Sequence, residues 1–170
     1  MSEAGGGGGG GTGGATETFV GSTFRWTSQD GRVDDTQRRI VIALLVLAAM
    51  GEATYWITFF GTDALRFPGV ACFRTFDLSF PAANAWTTIA ALLGAAGLWR
   101  RAPSGVLFGI VCGSSLMYLG LVDVVFFTQN GLYAQPDPAI YGEMAVHATC
   151  FTVAPAVVWW LWRNRRGLGV

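Results

Sequence analysis

Between Ile40 and Trp162 the sequence repeats one pattern: an apolar run of about twenty residues, then a break at glycine, proline or arginine. A run of that length, wound as a helix rising ~1.5 Å per residue, crosses the ~30 Å hydrocarbon core of a bilayer. The runs fall at about 40–60, 78–99, 105–127 and 140–162. Gly61 and Pro68 close the first, Arg100, Arg101 and Pro103 the second, and Gly131, Pro136 and Pro138 the third. Lipid offers no partner to a free backbone N–H or C=O, so such runs must be helical. The expected fold class is therefore an all-α membrane protein, a four-transmembrane-helix bundle running up-down-up-down, with Asp34 or Asp35 capping its first helix.

Composition supports this reading. With 52% hydrophobic and 13% charged residues in 170, the chain is too apolar for an ordinary soluble domain and suits one membrane domain, expected over 35–166. Residues 1–34 read as a disordered or interfacial tail: Gly5 to Gly11 is unbroken glycine, and Phe19, Phe24 and Trp26 lie among Arg25 and Arg32. The first apolar run starts only at Ile40, so no signal peptide is expected. Every basic residue is an arginine, and these sit in short clusters at the ends of the runs, which fits a bilayer as partner and argues against nucleic acid. Arg25, Arg32, Arg38 and Arg39, then Arg100 and Arg101, then Arg163, Arg165 and Arg166 all fall on one side of a four-span chain, against Arg66 and Arg74 on the other. The positive-inside rule makes the first side cytoplasmic, which puts both termini of the multi-pass chain in the cytoplasm.

Given that orientation, the polar side chains collect in the outer half. Glu52 lies about 18 Å from the inner boundary, His147 about 10 Å and Glu143 about 5 Å below the outer one, Asp123 about 6 Å and Asn84 about 9 Å. On helical spacing each run offers an inward stripe: Ala48, Glu52, Tyr55 and Phe59; Asn84, Thr88, Ala91 and Ala95; Cys112, Ser115, Leu119 and Asp123; Glu143, His147, Cys150 and Ala154. Glu52, His147, Glu143, Asp123 and Asn84 are the candidate ligand-binding residues, with Asp77, Tyr55 and Tyr118 at the rim and Asp123 shallow enough to be solvated. Intramembrane ionisable groups are costly and usually mark a site, although amides and hydroxyls such as Asn84, Thr88 and Ser115 also serve as glue between helices. Glu52 and His147, at matching depths, are expected to pair, either in a cavity or as a structural lock.

Other chemistry is thinly supported. Cys72, Cys112 and Cys150 form no paired redox motif or zinc spacing. Glu143 and His147 with Glu52 and Asp123 supply an oxygen-rich, one-histidine set, but the spacing departs from that of di-iron bundles, so no metal is assigned. Haem would need Met117 or Met144 beside the single histidine. No cofactor can be named. The aromatic residues Tyr55, Trp56, Phe59, Phe60, Tyr118, Phe126, Phe127 and Tyr141 read as an interfacial belt.

The segments Ser79 to Trp86, Gly97 to Arg101 and Gln129 to Tyr133 resemble a group of small four-helix integral membrane proteins of Gram-positive bacteria. The likeness runs over about 38–166 and implies a four-helix bundle in the plasma membrane, with no reaction attached. That group is expected to carry an aspartate where this chain has Asn84. Three functions follow from the residues: binding of a small molecule in an outer-leaflet polar cavity; a non-catalytic accessory or assembly subunit docked on a larger membrane protein; and an enzyme acting on a lipid or quinone through Glu52 and His147. The third has no nucleophile, redox pair or phosphate loop to support it, so the reading leans away from an enzyme.

Overall fold

The computed structural model describes residues 33–62, 73–135 and 137–168. Apart from Val33 and Asp34, the expected tail lies outside the described residues, as do Arg25, Arg32, Arg66 and Cys72. The described residues form helices and turns with no strand. They make α1 (Asp35–Gly61), the short α2 (Phe73–Asp77), α3 (Pro81–Trp99), α4 (Ser104–Gln129) and α5 (Pro138–Asn164), with 3-10 turns at Leu132–Ala134 and Arg165–Leu168. Three stretches are long and apolar enough to cross a membrane: α1, α4, and α5 with its 3-10 extension.

The helix starts follow from local chemistry. Asp34 caps α1 by accepting from Thr36 N at 2.9 Å, and Asp137 caps α5 by accepting from Ala139 N at 2.8 Å. Pro81 and Pro138 occupy first turns, where a missing N–H leaves nothing unpaired. The second apolar run is the one whose start differs from expectation. Leu78 and Ser79 form a turn closed by Ser79 N to Phe76 O (3.0 Å) and Phe80 N to Asp77 O (2.9 Å), so the long helix begins at Pro81 instead of Leu78.

The helices pack in sequence, α1 on α3, α3 on α4 and α4 on α5. The tightest of these contacts is between α3 and α4, where Gly97 and Gly105 bring two backbones together. A Cβ on Gly105 would meet the N of Leu98, and one on Gly94 would lie 2.9 Å from Gly109 N. The small-residue face of α4 then turns toward α5. A Cβ on Gly109 would lie 2.6 Å from Leu161 Cδ1, on Gly113 2.5 Å from Val158 Cγ2, and on Gly120 2.6 Å from Cys150 Cβ. Gly105, Gly109 and Gly113 recur every four residues, so they share a stripe that lets neighbouring helices approach closely in lipid.

The connection between α3 and α4 is correspondingly short. Arg101 takes a left-handed φ of 57°, and Ala102 N donates back to Gly97 O at 2.8 Å to close the end of α3. Arg101 Nη2 also reaches Asp35 Oδ1 at 3.2 Å, which ties the start of α1 to this hairpin. At the same end Trp160 Nε1 donates to Gln37 Oε1 at 3.1 Å, linking α5 to α1. The opposite end is closed by aromatic packing. Phe73, Phe126, Phe127, Leu132 and Ile140 form a second buried cluster, and Phe76 of α2 stacks on Phe126 with centroids 3.9 Å apart.

Because Gly105 faces backbone that cannot move aside, Gly105→Ala is expected to destabilise by at least about 1–3 kcal/mol through overpacking, although alanine normally favours helix. Gly142 has nothing within 4 Å of a new Cβ, so Gly142→Ala should leave stability unchanged or raised. Thermal unfolding in detergent, followed by circular dichroism, should place the Gly105→Ala midpoint below wild type. Coincident midpoints for the two variants would show that α3 and α4 are not in backbone contact.

Candidate functional site

At the end carrying Arg101, α1 and α5 are held close: Gln37 bonds Trp160, and Leu45 and Leu161 both reach Gly109. Toward the α2 end they part, and a cavity of about 650 Å³ opens between them with α4 as its back wall. Along α1 it runs from Leu44 to Trp56, which is about 18 Å of helix. Its two ends differ in chemistry. Leu44, Leu45, Cys112, Leu116, Val153, Ala154 and Val157 make the end nearer Arg101, and no charged side chain is among them. Glu52, Tyr55, Asp77, Asn84, Asp123 and Glu143 line the end nearer α2, beside the rings of Trp56, Phe73, Phe80 and Phe127.

Glu52, Asn84, Asp123 and Glu143 thus border one space, each from a different long helix. Among the described residues no three His, Cys, Asp or Glu side chains come close enough to hold a metal ion, so the carboxyls ring the cavity without converging on a point. Two polar atoms in the walls, Asn84 Oδ1 and Trp56 Nε1, are buried with no hydrogen-bond partner. The thiols of Cys112 and Cys150 are free, buried and part of the same wall.

His147 is not in this wall, and its expected pairing with Glu52 is not formed. It is 5% exposed, with Nδ1 2.9 Å from the Tyr133 hydroxyl and the Phe127 ring edge-on at 5.0 Å. Its Nε2 is buried without a partner. The cause is geometric: four residues exceed one turn by ~40°, which carries His147 past the face of Glu143. There it meets the 3-10 turn after α4, which delivers Tyr133 to it. Tyr118 is also not at the rim; it is 64% exposed on the outside of α4.

Asp77 differs in the other direction. The sequence suggests a solvated rim residue, yet α2 folds over the bundle and buries it, with Tyr55 Oη donating to Asp77 Oδ2 at 2.9 Å. Asp123, likewise expected to be solvated, lines the cavity wall half-buried. Tyr55, Trp56 and Phe127, read as interfacial belt, are cavity walls, whereas Phe60 and Tyr141 do face outward. Phe73 and Phe80 escape sequence reasoning because α2 is only five residues long and shows no periodicity. The one available signal is the Phe-Asp pair, Phe76 and Asp77, shortly before Pro81.

The chain was compared with protein-family models, with curated proteins and with solved structures, and nothing matches in any of the three. The functional reading therefore rests on the cavity.

Burial pushes the Asp77 carboxyl up to about 6, partly opposed by the hydrogen bond from Tyr55. Burial, then the charges of Asp123 and Glu143, also push the Tyr133 phenol upward. Facing Asp77 are Tyr55 from α1, Asp123 from α4 and Glu143 from α5. A raised carboxyl means that the fold prefers the protonated form. Its contribution to stability is complete below the ordinary value of 3.8 and is lost as pH rises through about 6. Asp77→Asn keeps an oxygen for Tyr55 and removes the titration. Thermal midpoints taken between about pH 4 and pH 7 should fall more steeply for wild type than for this variant. Parallel slopes would show that Asp77 is not held protonated by the fold.

Proposed function

We propose that the chain is a multi-pass plasma-membrane protein with four spans and cytoplasmic termini, and that it holds a small, largely apolar molecule in the cavity between α1 and α5. The single observation that carries this reading is the cavity itself: at about 650 Å³ it falls in the ~300–1,000 Å³ range of ligand sites, and its lining is mostly apolar with the polar groups gathered toward one end.

Three observations support the membrane part of the proposal. α1, α4 and α5 are apolar and long enough to span. α3, with 19 residues, is about 28 Å long and presents Trp86, Ile89, Leu92 and Leu93 outward, which suits contact with lipid tails. Arginines at Arg38, Arg39, Arg100, Arg101, Arg163, Arg165 and Arg166 mark one end of all four helices. On this orientation the carboxyl-lined end of the cavity lies in the outer half of the bilayer.

A long-chain alcohol bearing a photoreactive diazirine near its tail tests the reading in proteoliposomes of the full chain. Peptide mass mapping should find label on Leu44, Leu116 or Val153, competed by unlabelled alcohol. Gly51→Phe, which fills the cavity from a position with nothing within 4 Å, should remove that label. Label confined to outward residues such as Ile57, Leu107 and Trp159, unaffected by Gly51→Phe, would overturn the proposal.

A further inference from the structure

The cavity has the outline of an amphiphile. One end, between Leu44 on α1 and Val157 on α5, is lined by aliphatic side chains and small residues. The other, toward Trp56 on α1, carries Glu52, Asp123 and Glu143 beside the protonated Asp77, and among the described residues no arginine or histidine stands in the wall to offset them. The polar end is also aromatic, because Tyr55, Trp56, Phe73, Phe80 and Phe127 stand beside the carboxyls. Carboxylates interleaved with ring faces form a setting that favours cations and disfavours anions, more strongly where water is scarce. Asn84 Oδ1, buried in the same wall and unpartnered, suits an N–H or O–H on the occupant, while the equally unpartnered Trp56 Nε1 is left to other contacts such as water.

The route of access follows from the packing. α1 and α5 are not among the helix pairs that pack extensively, and the residues flanking the gap between them are exposed: Leu47 and Gly51 on α1, Val146 and Thr149 on α5. An opening bordered by Leu47 and Val146 leads sideways into lipid, because exposed leucine and valine at this depth meet acyl chains. Molecules already dissolved in the outer leaflet can enter head-up without crossing water.

Resting on the ligand-binding reading above, we infer that the occupant is a single-chain amphiphile with a protonated amine head, held with its ammonium among Glu52, Asp123, Glu143 and Asn84 and its tail toward Leu44 and Val157. A positively charged head suits the carboxyls and ring faces of the wall, where no cation stands among the described residues, and its N–H donors suit the orphaned amide oxygen. The tail is single because a space of about 650 Å³ is the size of one small-molecule site, which suits one chain better than two.

Three diazirine probes of equal chain length, a primary amine, an alcohol and a carboxylate, test this in proteoliposomes of the full chain. The amine should label Leu44, Leu116 or Val153 at concentrations about tenfold lower than the alcohol, the ratio expected of a charged hydrogen bond, and the carboxylate least of all. Asp123→Asn combined with Glu143→Gln should bring the amine down to the level of the alcohol, with the circular dichroism of the variant in proteoliposomes matching wild type to show that it is folded. A two-chain phosphatidylethanolamine carrying the same photoreactive group should label these positions no better than the alcohol. Equal labelling by all three single-chain probes would overturn the amine assignment and leave the cavity reading standing. Absence of cavity label from every probe would overturn both, and stronger labelling by the phosphatidylethanolamine would replace the single-chain amine with a bilayer lipid.

Discussion

The structure depends on how closely α3 and α4 approach. In a bilayer, helices gain little by leaving lipid for one another, so association rests on van der Waals contact and a few polar bonds. Gly97 and Gly105 let two backbones touch where any side chain would hold them apart. The next glycines on α4, Gly109 and Gly113, repeat the stripe but face Leu161 and Val158 of α5. One helix therefore serves as a spine for two neighbours, while α1 joins through α3. A bundle assembled in that order has its first and last helices flanking a gap, and the cavity is a consequence of where the glycines are. Leu119 and Asp123 on the same helix supply its back wall above the glycine contacts.

A gap alone would close as side chains repacked. Two features hold it open. At one end Trp160 of α5 bonds Gln37 of α1, and Arg101 after α3 bonds Asp35 at the start of α1. At the other, α2 lies across the mouth with Phe76 stacked on Phe126 and Asp77 bound to Tyr55. Tyr55 thus joins α1 to the aromatic cap by a hydrogen bond, and Arg74 of α2 lies over the Phe59 ring of α1 at 5.7 Å. A net hydrogen bond of this kind contributes about 1 kcal/mol.

Much of this arrangement was legible in the chain. Each apolar run is helical, with ends within a few residues of the expected limits because caps at Asp34 and Asp137 and first-turn prolines are strong local signals, and three of these helices are long and apolar enough to cross a membrane. The collection of Glu52, Asn84, Asp123 and Glu143 at one end could be derived from helical rise and alternating direction alone. Rotation about a helix is harder to read than height along it. His147 and Glu143 share a height band and nearly a face, but ~40° of rotation, together with Tyr133 arriving from a turn of three residues, takes the imidazole off the cavity face of α5. The glycine stripe of α4 was there to be read as well, at Gly105, Gly109 and Gly113, whereas α2 was not: five residues give no period to detect.

The placement of polar groups separates a structural reading of the cluster from a binding one. Groups retained only to join helices would bond across the interfaces, as hydroxyls and amides do in membrane bundles. Here the threonines that could play that part bond their own helix: Thr87 to Ala83 O at 3.0 Å, Thr149 to Ala145 O at 2.8 Å and Thr152 to Ala148 O at 2.7 Å. The carboxyls, Asn84 and Tyr55 instead border the cavity, where among the described residues Tyr55 and Asp77 are hydrogen-bonded at 2.9 Å. Asn84 keeps a buried acceptor and Trp56 a buried donor unused, each costing about 1–3 kcal/mol unless something in the cavity completes them. Burying such groups around a space, when leucine would have filled it at a gain, makes sense if the space is meant to be occupied.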